Sequence, residues 1–187
     1  MDASPVMATG HCLCGAVRFK AVVAKAGTLC CHCEMCRRWT GSALLAVSIA
    51  PDAVSFEGQE NIRHYASSDW AERAWCDRCG ATLYYRLSVD GFGPRTYEMA
   101  LGLFDDPGAF PMAKEIFVDR KPAGYAFAGT HPRLTEAEHL AAFEVAGGEV
   151  GGAAVVDVAG DREVVGGEGR LVAGHRLRHM ADADGLQ

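Results

Sequence analysis

The sequence has little of three features that would place it at a membrane, outside the cell or on nucleic acid. No stretch of its 187 residues approaches the roughly 18 consecutive apolar residues of a membrane-spanning helix. The opening segment, MDASPVMATG, lacks the basic flank and apolar run of a secretory signal. Positive charge is scarce, because 18 Lys and Arg face 24 Asp and Glu, for a formal net charge of −6. We therefore expect a cytoplasmic protein that binds neither membrane nor nucleic acid.

The composition is that of a globular chain, with 49% hydrophobic and 22% charged residues. The length suits one domain with an appendage. We predict a β-domain over 8–128, a helical extension over 129–146 and a Gly/Val-rich tail over 147–187. The helix is predicted over 134–145, with Thr135 as its N-cap and Glu138 at the capping-box position.

Short apolar or β-branched runs separated by Gly, Pro and Asp turns predict an all-β domain with mainly antiparallel pairing. A tight turn is predicted at 34–38, directly after the second strand. The predicted strands cover 11–20, 28–33, 43–49, 53–56, 62–66, 72–75, 81–89, 96–104 and 114–118.

The eight cysteines are the strongest chemical signal in the sequence. Seven of them form three short motifs: C-x-C at 12–14, C-H-C-x-x-C at 31–36 and C-x-x-C-G at 76–80. A framework of disulfides is one interpretation of an even number of cysteines. In a reducing compartment, however, cysteines at these spacings are more typical of metal ligands.

The spacings also indicate which thiols can bind one ion together. Side chains at i and i+2 of a strand share a face, and side chains at i and i+3 meet in a tight turn or a first helical turn. Glycine after the last cysteine permits the positive φ that such a turn often needs. The pairs predicted in this way are Cys12 with Cys14, Cys31 with Cys33, Cys33 with Cys36, and Cys76 with Cys79.

A count of ligands then predicts two zinc sites. Structural zinc takes four protein ligands, whereas catalytic zinc keeps one position open. Two motifs together supply four thiols, and the remaining motif supplies three. Cys30 and His32 are one residue out of phase with the three and are expected to point away. Spacing alone leaves the pairing of motifs open, since 12/14 with 31/33 is also possible.

The order C-x-C-G, C-H-C-x-x-C-R and C-x-x-C-G resembles the glutathione-dependent formaldehyde-activating enzymes and the related centromere protein V domain. The matching segments are 12–15, 31–37 and 76–80, with Gly41 and Ser42 following the second. The resemblance implies a β-tent fold with two zinc ions. It also implies that Cys12, Cys14, Cys76 and Cys79 bind the structural zinc, while Cys31, Cys33 and Cys36 bind the catalytic zinc.

The same resemblance implies a carbon–sulfur lyase acting on a small-molecule thiol and an aldehyde, with glutathione and formaldehyde forming S-(hydroxymethyl)glutathione. An open zinc site suits this chemistry, because it can hold a thiolate or polarise a carbonyl. Glutathione is anionic, so Arg37 and Arg38 beside the second motif are candidates to bind its carboxylates.

Two other functions remain open at this point. A fourth ligand from Cys30 or His32 would favour a non-catalytic zinc module that binds a partner. An exposed Cys30 would favour a thiol redox enzyme. The remaining histidines lack ligand spacing and are expected to be solvated: His11, His64, His131, His139, His175 and His179.

Overall fold

The computed structural model describes residues 5–88 and 95–146, which form two β-sheets. The smaller sheet has the order β1-β2-β5 and is antiparallel, with β1 at Val6–His11, β2 at Arg18–Val23 and β5 at Val54–Glu57. The strands of the larger sheet are β3 (Thr28–Cys31), β4 (Leu44–Ile49), β6 (Ile62–Ser68), β7 (Ala71–Cys76), β8 (Thr82–Leu87), β9 (Tyr97–Ala100), β10 (Met112–Ile116) and β11 (Arg133–Leu134).

The larger sheet has the order β11-β10-β3-β4-β9-β8-β7-β6. Its pairs are antiparallel except that β10 runs parallel to both β3 and β11. The predicted all-β, mainly antiparallel fold with a short C-terminal helix is confirmed. The parallel pairing brings Cys31 beside Ile116 and Cys30 beside Glu115, and it therefore sets the surroundings of the second cysteine motif.

In the smaller sheet, one face of each strand is less exposed than the other, and the face of β2 is buried. In β2, Phe19, Ala21 and Val23 are buried while the residues between them are exposed, which is the alternation expected of a half-buried strand. The Phe19 ring meets Phe104 edge to face at 5.1 Å. Gly10 lies so close to the Phe19 ring that an added Cβ would be 2.5 Å from one of its atoms, so the packing requires glycine there.

Several predicted boundaries are wrong around the cysteines. Residues 11–20 are not one strand, because the chain turns between the end of β1 at His11 and the start of β2 at Arg18. The strand predicted over 28–33 is β3, which ends at Cys31, two residues earlier than predicted. The tight turn predicted at 34–38 is a helix, α1 (Glu34–Thr40), which ends at Gly41 with a φ of 75°. The strand predicted over 96–104 is cut short at Ala100 by the 3-10 turn Leu101–Leu103.

The second helix, α2, covers Glu136–Ala146 and begins with the predicted capping box. Thr135 N–H donates to Glu138 Oε2 at 2.8 Å, and Glu138 N–H donates to Thr135 Oγ1 at 3.3 Å. The tail predicted over 147–187 lies outside the described residues, and the boundary at 128 stays a prediction. Neither helix in the described residues has the length and apolar character needed to cross a bilayer.

Candidate metal centres

The first cysteine cluster joins the two sheets through a pair of turns. Cys12 and Cys14 lie in the turn between β1 and β2, while Cys76 ends β7 and Cys79 follows it. All four sulfurs lie within 4.8 Å of one another. The Cys12–Cys14 and Cys14–Cys76 sulfur distances are 3.6 and 3.9 Å. Tetrahedral zinc with Zn–S bonds near 2.3 Å requires about 3.8 Å between sulfurs, so this donor set fits Zn²⁺.

Each of the two turns of this cluster ends at a glycine, three residues after Cys12 in one and four residues after Cys76 in the other. Gly15 N–H donates to Cys12 O at 2.9 Å, and Gly80 N–H donates to Cys76 O at 2.8 Å. Both glycines have a positive φ, 73° and 71°, which side chains with a Cβ rarely adopt. The glycine of each C-G motif therefore closes the turn that presents the thiols. The thiols of 12 and 14 come together in this turn and not, as predicted, on one face of a strand.

The second cluster lies where the larger sheet passes into α1. Cys31 ends β3, Cys33 is the N-cap of α1, and Cys36 occupies the first turn of the helix. The three sulfurs lie within 4.8 Å of one another, and each residue is only 6–7% exposed. Hydrogen bonds from the Cys31 and Cys36 side chains lower the pKa of Cys33 to about 3. The cluster therefore favours a thiolate at Cys33.

Arg73 supplies a buried positive charge to this second cluster. Two of its guanidinium nitrogens lie 3.8 and 3.9 Å from Cys36 Sγ, and the residue is 3% exposed. The guanidinium lies over the rings of both Trp39 and Tyr85, at 4.8 and 5.1 Å from their centroids. An unpaired buried cation is costly, so the thiol cluster and the rings both stabilise it. The cysteine motifs do not indicate Arg73, and its neighbours in β7, Glu72 and Ala74, do not mark it as a buried cation.

Cys30 and His32 form a separate group on the opposite side of β3. Cys30 Sγ lies 3.5 Å from His32 Nε2, and that nitrogen lies 2.8 Å from Glu115 Oε2. All three are buried, and burial together with the nearby Glu115 charge raises the pKa of Cys30 to about 12. Their proximity would suit a third ion. The 2.8 Å contact is a hydrogen-bond distance, and we interpret the group as a hydrogen-bond network.

Glu115 is the centre of this network. Its Oε1 accepts from Arg133 Nε at 2.8 Å and lies 2.6 Å from His131 Nε2. Burial alone would raise the pKa of the carboxyl, but the hydrogen bonds from Arg133, His131 and His32 outweigh it and lower the pKa to about 2. The expectation of a solvated His131 is therefore wrong, because its side chain is 3% exposed. Nothing in its sequence spacing indicated the distant Glu115.

A cavity of about 580 Å³ lies beside α1. Its lining includes Glu34, Arg37 and Arg38 from the helix and Tyr125 from the segment after β10, but no cysteine among the described residues. Arg38 is paired with Glu34, with Nη2 at 2.7 Å from Oε1. Arg37 Nε donates to the backbone oxygen of His32 at 2.9 Å. The two arginines proposed from the sequence therefore have different surroundings.

The comparisons with known proteins identify the family of this chain. The model of the glutathione-dependent formaldehyde-activating enzyme family matches residues 7–120. The chain belongs to this family. The match contains both cysteine clusters and Arg73, and it ends before Tyr125, His131 and Arg133.

Two curated proteins give the family match a wider context. An uncharacterized lyase of Schizosaccharomyces pombe is 36% identical over 126 residues, which cover 67% of this chain and 89% of the relative. A Halomonas elongata protein, named as a candidate glutathione-dependent formaldehyde-activating enzyme, is 28% identical over 125 residues, which cover 60% and 76% of the two chains. Both names agree with a lyase family.

Proposed function

We propose that this family member is a zinc-dependent carbon–sulfur lyase that forms and cleaves thiol–aldehyde adducts, with glutathione and formaldehyde as the first pair to test. In the forward direction the thiol sulfur bonds to the aldehyde carbon, and the thiol proton ends on the former carbonyl oxygen. The two cysteine clusters would bind one zinc ion each. Cys12, Cys14, Cys76 and Cys79 would hold a structural ion, and Cys31, Cys33 and Cys36 a catalytic one.

The observation that carries this proposal is the number of ligands in the second cluster. Within the described residues, no fourth Cys, His, Asp or Glu joins Cys31, Cys33 and Cys36 in that group. Cys30 and His32, the sequence candidates for a fourth ligand, lie with Glu115 instead. When bound there, Zn²⁺ would supply an exchangeable position suited to hold a thiolate or to polarise a carbonyl.

The residues of this chain would prepare the site for a thiolate. Arg73 places a fixed positive charge beside Cys36, which offsets the negative charge that three thiolates bring to one divalent ion. The rings of Trp39 and Tyr85 pack against the guanidinium and hold that charge in place. The Arg37 side chain in the cavity would bind a carboxylate of the thiol substrate.

The other two functions are less well supported. A closed, non-catalytic second zinc site would need a fourth ligand, and the two sequence candidates lie elsewhere. A redox role for Cys30 would need an accessible thiol with a low pKa, whereas Cys30 is fully buried and its pKa is raised to about 12.

The proposal is tested by measuring exchange between glutathione, formaldehyde and their adduct by NMR, with and without protein. Thiols add to formaldehyde unaided, so the quantity of interest is acceleration above the uncatalysed exchange. We expect acceleration with the zinc-loaded wild type and none with Cys33→Ser, which removes the thiol shared by the C-x-C and C-x-x-C spacings. Cys33→Ser should keep the fold and the first zinc ion. Equal acceleration by both proteins would overturn the catalytic role of the triad.

A further inference from the structure

We propose that Arg37 and Tyr125 together bind an α-amino acid group, with the carboxylate on Arg37 and the ammonium on the Tyr125 oxygen, and that His32 positions both residues. This inference rests on the proposed function, because the γ-glutamyl end of glutathione is the zwitterion that fits it. Tyr125 lies beyond the segment that the family model matches.

One residue, His32, contacts both side chains. His32 Nδ1 lies 3.0 Å from the Tyr125 hydroxyl, and the His32 backbone oxygen accepts from Arg37 Nε at 2.9 Å. His32 itself is fully buried between Cys31 and Cys33. The central residue of the C-H-C motif therefore connects the thiol cluster to the cavity, and this gives the motif's histidine a role outside metal binding.

The Tyr125 hydroxyl is fixed by the buried network behind it. The Glu115 carboxylate can only accept, so the His32 Nε2–H donates to it, and His32 Nδ1 lies 3.0 Å from the Tyr125 oxygen. These contacts hold the Tyr125 oxygen at the cavity, where it keeps a lone pair that can accept from an N–H group.

The lining of the cavity carries both positive and negative charge. Within the described residues, the only hydrogen bond of the Arg37 side chain is from Nε, so its two terminal nitrogens are available to a carboxylate. Arg38 is already paired with Glu34, both of which line the same cavity. Among the described residues, the lining thus combines the Arg37 guanidinium with an acid–base pair and the Tyr125 hydroxyl, which suits a zwitterion better than a ligand carrying only negative charge.

The Tyr125 ring is held in place by its neighbours. Lys121 Nζ donates to the Tyr125 backbone oxygen at 2.6 Å and lies 5.3 Å from the ring centroid. The rings of His32 and Phe127 pack on it, with centroids at 5.7 and 5.9 Å. Binding therefore requires little ordering of this side chain, which favours affinity.

The test compares two ligands without a free thiol, so that binding does not depend on chemistry at the triad. S-methylglutathione carries the amino acid group, and its analogue with glutaryl in place of γ-glutamyl lacks only the ammonium. We expect Tyr125→Phe to weaken binding of S-methylglutathione about tenfold and to leave binding of the analogue unchanged. Arg37→Gln should weaken both ligands. Tyr65→Phe, at a 60% exposed position in β6, is the matched control and should change neither.

The outcomes separate this inference from the proposed function. Equal weakening of both ligands by Tyr125→Phe, no weakening, or no measurable binding of S-methylglutathione to wild type would overturn the inference, whatever the result of the exchange assay. The inference would be supported if wild type bound S-methylglutathione more tightly than the glutaryl analogue and Tyr125→Phe lost this difference in affinity. That result would stand even if wild type showed no acceleration with formaldehyde. Zinc content and circular dichroism of each variant establish that the fold is retained.

Discussion

At the residue scale, the most consequential side chain that the cysteine motifs do not predict is Arg73. It is the buried cation within reach of Cys36, and its charge favours the ionised thiols that bind a metal. Removing one member of a buried charge pair typically costs about 3–5 kcal/mol. The second cluster should therefore depend on Arg73, although Arg73 is not itself a ligand.

We predict that Arg73→Met lowers the zinc affinity of the second cluster by at least about tenfold, since a loss of ~1.4 kcal/mol already gives that factor. The first cluster, which Arg73 does not contact, should keep its affinity. Competition with a chromogenic chelator measures the two equivalents separately. Arg73→Lys keeps the charge without the planar guanidinium, so its zinc affinity at the second cluster should lie between those of wild type and Arg73→Met. Equal weakening of both equivalents would instead indicate general destabilisation.

The cysteine motifs could be predicted from the sequence because their geometry is local. Neighbours two or three positions apart meet in turns whatever the rest of the fold does, so the members of each cluster followed from spacing and resemblance. Glu115 and Arg73 could not be found in this way. The contact of Glu115 with His32 depends on the parallel pairing of β3 with β10, and the contact of Arg73 with Cys36 depends on the placement of β7. No local sequence pattern predicts either arrangement.

At the scale of elements, the boundaries that were predicted wrongly lie beside the metal clusters. The alternation across 11–20 was compatible with a strand, but two cysteines and a glycine with positive φ require a turn at 12–15. The helix α1 is short, and it begins with a cysteine as its N-cap, where Ser, Thr, Asp or Asn is usual. Ligand geometry therefore outweighs the ordinary signals of strand and helix at these points.

The turns at the first cluster join the smaller sheet to β7 of the larger one, and this makes a prediction about stability. We expect Cys76→Ser to yield unfolded or insoluble protein, because structural zinc contributes ~10–16 kcal/mol of apparent binding energy. That is comparable with the ~5–15 kcal/mol stability of a whole domain. Soluble expression, zinc content and thermal unfolding are the measurements.

The matched control for this substitution is Cys30→Ala, which removes a cysteine that is equally buried but lies in neither cluster. It should remain folded with two equivalents of zinc. Loss of one zinc equivalent in Cys30→Ala would show that Cys30 is a ligand and that the second cluster is closed.

At the scale of the whole molecule, the two clusters should differ in how easily they release metal. We predict two zinc equivalents in protein purified without chelator. A mild chelator should remove one equivalent while circular dichroism stays native, because three thiolates with an exchangeable position hold the ion less firmly than four. Removal of the other equivalent should coincide with unfolding. A reproducible content of one equivalent in folded protein would contradict the two-site proposal.

The join between the sheets also has a consequence for how the chain reaches its structure. Cys14 and Cys76 are 62 positions apart, so the polypeptide must close a long loop before the four thiols can meet. Closing such loops slows folding, and antiparallel sheets with distant partners are slow already. A metal ion captured first by one C-x-C or C-x-x-C turn would recruit the other turn and shorten the search. We expect refolding to accelerate with the concentration of free zinc, a dependence that stopped-flow fluorescence would measure. The ion would then speed the folding of the chain as well as stabilise the folded protein.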